Sequence, residues 1–286
     1  MKSDLSEKPA NIKPPVPPEA AMNMERKQYA EDHWIRSTDT AKSLQVYMDQ
    51  QNKAYSRVKN HYIKELLGNL KDKDFLDYGC GAGMFAVYAA EEGASRVLGV
   101  DAEETVLSTA HLFTVQEEVT DRCEWMKSEY FPVFSPAFAF DLILLKDVIE
   151  HIEDDDALLQ KASQTLKADG VIILSTQNAL CLNYLIQGVY HRTFLGQKDW
   201  YGWDETHLRF YTPRSLSRKL KNAGLKPVTW RSSYIIPHKF PALPYSGKEF
   251  YRLESLTLID RTLGCLFPWN RLGWSIMVRA VKARQL

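Results

Sequence analysis

Asp77-Tyr78-Gly79-Cys80-Gly81-Ala82-Gly83 decides how this chain is read. It follows the apolar pair Phe75-Leu76 and precedes a helical stretch that begins at Met84. A strand, a glycine loop and a helix, in that order, make a ligand site for physical reasons. Glycine lets the backbone take angles closed to other residues and come close to a ligand. The helix start presents N–H groups that have no partner inside the helix. In a doubly wound sheet this place is the crevice at the carboxyl ends of the strands.

The spacing narrows the ligand. A dinucleotide fingerprint, G-x-G-x-x-G, would need glycine at position 84, where the chain has Met84. The glycines instead alternate at 79, 81 and 83, behind an acid at 77. Asp77 would repel a pyrophosphate and suits a cationic amine. A second apolar run, 96–100, ends in Asp101, about twenty positions after Gly81. An acid at that place can take both hydroxyls of a ribose.

The rest of the chain supplies the frame. Residues 84–92, 103–119 and 154–166 read as helices, and 75–78, 96–100, 123–126, 140–145 and 171–175 as strands. Short apolar strands alternating with amphipathic helices predict an α/β fold with a parallel sheet covered on both faces. Residues 24–70 form a helical cover ahead of it, stopped by Gly68. Residues 1–23, with Pro9, Pro14, Pro15, Pro17 and Pro18, read as a disordered arm. The main domain spans 71–286. Within it, residues 179–206 are rich in Tyr, Trp and Leu without a clean period and read as an insertion on the substrate side. Thr212 as N-cap, Pro213 at the first position and Gly224 past the end bracket a helix over 213–223. Residues 225–234 and 274–281 read as further strands, 235–250 as a loop and 251–267 as an amphipathic helix. That last helix is expected to pack on the sheet edge or to form a homodimer contact.

Composition sets the outer limits. The 286 residues carry 36 Lys+Arg and 36 Asp+Glu, so bulk charge gives no pull toward nucleic acid. Cys80, Cys123, Cys181 and Cys265 lie far apart, without zinc-type spacing. Reduced thiols and a cytoplasmic location are the expectation. No apolar run reaches the length of a membrane span.

Asp77, Gly79, Gly81, Gly83 and Asp101 together resemble the first two motifs of class I S-adenosylmethionine-dependent methyltransferases. The resemblance covers about residues 55 to 234. It implies a seven-stranded Rossmann-like sheet in the order 3-2-1-4-5-7-6, with strand 7 antiparallel. It implies S-adenosylmethionine as cofactor, with Asp77 near the methionine amine and Asp101 on the ribose. Cys80, Ala102 and Lys146 fall among the implied cofactor-binding positions. Ser128 and Glu129, after the third strand, are the implied adenine contacts. Arg57, Lys59 and Lys64 are either surface charges or a cover for the methionine carboxylate.

Asp147-Val148-Ile149-Glu150-His151 and the later Asp204-Glu205-Thr206-His207-Leu208-Arg209 run resemble the ubiquinone-biosynthesis O-methyltransferases and related methyltransferases of glycan gene clusters. In that branch an acid-x-x-Glu-His sequence with a later His holds a divalent cation such as Mg²⁺. Asp147, Glu150, His151 and His207 are the matching positions, with Asp147 shorter than the usual Glu. A cation would stabilise the oxygen nucleophile. His151, Glu150 and His207 are equally candidates for acid–base work without metal, and a neutral His can take the proton. His207 would otherwise anchor the insertion by a hydrogen bond. Arg209 is either an anion ligand or the partner of Asp204 or Glu205.

The expected activity is methyl transfer to an oxygen of a small molecule, a phenol or quinone precursor first. A sugar hydroxyl or carboxylate is second and a nitrogen acceptor third. A non-catalytic cofactor-binding partner subunit and a nicotinamide-dependent oxidoreductase are the alternatives from other classes.

Overall fold

The computed structural model describes residues 33–128, 139–198, 200, 207–236 and 254–283. The chain begins its cover with a 3-10 turn, Trp34–Arg36, and two helices, α1 (Thr40–Gln51) and α2 (Ala54–Leu67). The alternating part follows: β1 (Asp74–Tyr78), α3 (Met84–Glu91), β2 (Arg96–Asp101), α4 (Glu104–Gln116), β3 (Cys123–Lys127), β4 (Phe140–Lys146), α5 (Asp155–Thr165) and β5 (Leu166–Gln177). The remainder is α6 (Leu182–Val189), α7 (Pro213–Asn222), β6 (Leu225–Ser233), α8 (Glu254–Leu263) and β7 (Ser275–Lys282).

The seven strands form one sheet in the order β3-β2-β1-β4-β5-β7-β6. Strands β3 to β5 pair in parallel, and β7 runs antiparallel to both β5 and β6. This is the order that the glycine loop and its family resemblance imply. Alternation along β4 shows how the sheet is held. Leu142 and Leu144 enter the core under α2 and α3, while Ile143 and Leu145 enter the core under α5 and α7. Ile143, Leu144 and Leu145 are fully buried, so truncating any one to Ala is expected to cost about 2–5 kcal/mol.

Local chemistry sets the helix ends. Asp39 and Asp154 cap α1 and α5 through Lys42 N and Ala157 N. Thr212 and Ser215 form a capping box at α7, with Pro213 at its first position. Two expectations change. Strand β5 begins at Leu166, because Leu166 pairs with Phe140 across an irregular register. The insertion contains a regular helix, α6, extended by a π-helical turn at Tyr190–Phe194.

Helix α8, shorter than the expected 251–267, docks on the chain itself. Tyr62 Oη of α2 donates to the Asp260 carbonyl at 2.7 Å. The Asp260 carboxylate accepts from Tyr234 N and Ile235 N, just past β6. All four cysteines are free thiols. Among the described residues, no helix is long and apolar enough to cross a membrane. The proline-rich arm and most of the 235–250 loop lie outside the described residues.

Candidate functional site

Strand β1 delivers Asp77 to the end of the sheet and the chain then turns through the glycines. Gly79 has φ +77°, and a Cβ there would sit 2.3 Å from Val148 Cγ2. Gly83 has φ +84°, and its Cβ would meet Trp125 at 2.7 Å. The loop is therefore closed to side chains by the turn after β4 on one side and by β3 on the other. Gly79 N and Cys80 N both donate to Val100 O, at 2.7 and 3.0 Å, which ties the loop to β2.

Asp77 is buried, and its Oδ2 has no hydrogen-bond partner. Burial pushes its carboxyl up to about 7, against the pull of the Lys146 ammonium. Burial in turn pulls Lys146 down to about 8. An unpartnered buried carboxylate oxygen is costly to keep. A ligand ammonium placed there would satisfy it.

Asp101 ends β2. Its Oδ2 accepts from Gly81 N at 2.9 Å, and its Oδ1 accepts from Ala102 N at 2.8 Å and Glu103 N at 3.3 Å. Burial raises its pKa and these N–H groups lower it again. A carboxylate has roughly four acceptor positions, so the three backbone bonds orient Asp101 and leave room for a hydroxyl donor. Ala102 thus serves Asp101 through its backbone. Cys80 is buried beside Gly99, its thiol raised well above the usual value by burial. Ser128 follows β3; Glu129 lies outside the described residues.

The helical cover reaches the loop. A Cβ built on Gly81 would lie 3.7 Å from the Tyr47 ring and 4.0 Å from the Trp34 ring. Gln51 Oε1 accepts from Asn60 at 3.0 Å and from Lys146 at 3.5 Å. Lys59 forms a salt bridge with Asp147. That pair and the Ser175 hydroxyl, 3.0 Å from Asp147 Oδ1, hold the Asp147 carboxyl down at about 2 against its burial. Lys64 lies over the Tyr88 ring and Arg57 donates to Asn52 O.

The acceptor side is a separate cluster. A 3-10 turn, Ile149–His151, follows β4. Glu150, His151 and His207 each offer one ligand atom, all within 4.8 Å of one another. Asp147 is not in that group: Lys59 and Ser175 occupy its carboxylate. Three of the four expected positions are thus brought together, and the fourth is paired elsewhere. Glu150 is buried with both Oε atoms unpartnered at bonding geometry. Burial and the Asp147 charge push its carboxyl up to about 8, with the Thr176 hydroxyl pulling the other way.

Distant segments hold His207 in place. Its ring meets His151 edge-on, at 4.8 Å between centroids, and Phe210 at 5.7 Å. Leu208 N donates to Glu150 O at 2.9 Å. Tyr211 Oη donates to Asp155 Oδ2 at 2.6 Å. Arg209 pairs with Asp155 at 2.5 Å; Asp204 and Glu205 lie outside the described residues. From Phe210 an aromatic path runs into the insertion through Tyr184 and Trp200, with His191 stacked on Trp200 at 4.4 Å.

Residues 20–229 match a family described as a methyltransferase domain. A ubiquinone biosynthesis O-methyltransferase of Neisseria meningitidis serogroup C is 31% identical over 163 residues, which are 55% of this chain and 65% of that protein. One from Acinetobacter baylyi is 30% identical over 172 residues, 58% of this chain and 68% of that protein. The match to the first of these thus stops just short of two thirds of its length. Among solved structures, an S-adenosylmethionine dependent methyltransferase from Mesorhizobium loti aligns with a TM-score of 0.53 at 19% identity, covering 81% of this chain and 99% of that one. A methyltransferase from Aquifex aeolicus aligns with a TM-score of 0.52 at 15% identity, covering 86% and 99%. Both likenesses are of fold.

Proposed function

The chain belongs to this methyltransferase-domain family, and we propose that it transfers the methyl group of S-adenosylmethionine to an oxygen of a small molecule, a phenol or quinone precursor first. The observation that carries this reading is the Asp77 carboxylate, buried at the end of β1 with Oδ2 unpartnered beside the glycine loop.

Asp77 binds the methionine ammonium, Asp101 the ribose hydroxyls, and the backbone from Gly79 to Gly83 lies along the cofactor. Tyr47 and Trp34 close the cover side. Cys80, Ala102, Lys146, Ser128 and Glu129 complete the proposed cofactor contacts. S-adenosylmethionine supplies an electrophilic methyl on a sulfonium, and in-line transfer needs an oxygen that is losing its proton.

His151 and His207 are the groups that take that proton. A phenol holds it with a pKa of about 10 in water, so a neutral imidazole at hydrogen-bond reach is a competent base. A positive charge arriving on either ring lowers the Glu150 pKa, so that Glu150 releases its own proton to solvent and becomes the carboxylate. That offsets the new positive charge in a buried place.

A second reading rests on the three-residue group itself. Glu150, His151 and His207 have the oxygen and nitrogen donors that suit a divalent cation such as Mg²⁺ or Mn²⁺. Bound there, a cation would lower the cost of the developing oxyanion.

Titration calorimetry with S-adenosylhomocysteine, followed by assays on catechols, sugars and carboxylates, separates the readings. Binding with turnover of a catechol supports the first. Turnover of a sugar or carboxylate moves the acceptor class. Binding without turnover of any acceptor points to a non-catalytic partner subunit. Full activity of a metal-stripped sample in EDTA removes the cation.

A further inference from the structure

A groove of about 650 Å³ runs along α7, apart from the glycine loop and the histidine pair. Leu180, Pro213, Ser217 and Asn222 line it together with four cationic side chains, Arg214, Arg218, Lys221 and Arg271, whose aliphatic stems add to its apolar surface. No acid is among the described residues that line it. The chain as a whole carries formal net charge zero, so this local excess of cations is not a reflection of composition.

The cations look arranged rather than scattered. Arg214, Arg218 and Lys221 recur at four and three residues, so they share one face of α7. All three are exposed, and among the described residues none has an acid partner. Lys219, on another face, pairs with Asp155 and Asp156 at 2.9 Å each. Arg214 lies in the first turn of α7, where the positive end of the helix dipole disfavours a cation. Helix stability therefore gives no reason for it.

Arg271 faces the helix from the turn before β7, and it is held. Its guanidinium lies 5.5 Å from the Trp230 ring centroid and 5.9 Å from that of Phe267. Asn178 Nδ2 donates to its carbonyl at 2.9 Å.

The dimensions select the ligand. Arg214 and Lys221 are seven residues apart, about 10 Å along the helix. One phosphate would engage only part of that row, whereas two linked phosphates engage most of it. Arginine forks match phosphate oxygens in pairs.

We propose that this groove binds a diphosphate group.

The test is calorimetry with inorganic pyrophosphate on the full chain. It is repeated with sulfate at matched ionic strength and with phosphatidylglycerol vesicles, and S-adenosylhomocysteine is titrated in parallel. Saturable pyrophosphate binding is expected, weakened roughly tenfold or more when Arg214, Arg218 and Arg271 are changed together to Gln. The exposed Lys226→Gln change on β6 should leave it unaltered, and S-adenosylhomocysteine affinity should be the same in every variant. Absence of saturable pyrophosphate binding overturns the proposal. So does equal affinity for sulfate, equal affinity in the triple variant, or binding to vesicles alone, which would make the groove a lipid-surface contact. Failure of S-adenosylhomocysteine to bind would count against the cofactor reading and not against the groove.

Discussion

The cofactor side and the acceptor side of this chain are built differently. The first is continuous: seven residues from Asp77 to Gly83, with Asp101 added by the next strand, and backbone bonds to Val100 fixing the loop. The second is assembled from the turn after β4, the segment at 207–211 and the insertion, joined by Leu208 N to Glu150 O and by ring contacts. A continuous site depends on strand and loop geometry. An assembled site depends on how distant segments are anchored, so its residues should be separable from cofactor binding by mutation.

The largest expected effect tests that separation. His151→Ala and His207→Ala should each lower kcat by roughly 10²–10⁴, the usual worth of a positioned base. S-adenosylhomocysteine affinity should stay within about twofold, because both residues belong to the acceptor-side cluster with Glu150. Equal losses in turnover and in cofactor affinity would show that the two sides are one unit. Asp77→Asn is the reciprocal change. It leaves a neutral amide opposite the ammonium and should weaken S-adenosylhomocysteine by roughly 100-fold. Unchanged affinity would remove the ammonium assignment.

The same contrast explains what the sequence disclosed. Asp77, the alternating glycines and Asp101 were legible because a turn of this kind constrains neighbouring residues, and the strand order came with the family they resemble. Thr212 and Pro213 marked α7 for similar local reasons. Helix α6 carries a helical signal that was not read: Leu182, Leu185, Ile186 and Val189 recur at three- and four-residue steps. The sequence does not show which way that stripe faces: Asn183, Tyr184, Gln187 and Gly188 are buried and the four apolar residues are exposed. Lys59 was read as a surface charge or as a cover for the methionine carboxylate, and nothing local in the sequence shows that it instead pairs with Asp147 at the end of β4.

The buried acids give a pH prediction of intermediate size. Glu150 holds its proton up to about 8 in the folded chain, against an ordinary value of 4.5. Between those values the folded state keeps a proton that the unfolded state has released. Stability therefore falls as pH rises, by at most about 1.4 kcal/mol per pH unit from this group. Glu150→Gln should flatten the profile from denaturant melts between pH 5 and 8 and should be the more stable form above pH 8. A parallel profile for the variant would mean that Glu150 is ionised throughout, as a bound cation would require.

The smallest effect concerns the anchor of the acceptor side. Tyr211→Phe removes the buried hydroxyl that donates to Asp155 at 2.6 Å and lies 3.3 Å from Ile149 O, and keeps the ring that packs in the core. Asp155 retains Arg209 and Lys219, so the cost should be about 1 kcal/mol, the ordinary net worth of such a bond. Its value lies in the readout. If this bond helps to hold the 207–211 segment, kcat should fall several-fold more than stability alone explains, while cofactor affinity stays the same. A variant with lowered melting temperature and wild-type kcat would place the anchoring elsewhere, on the backbone bond from Leu208 to Glu150.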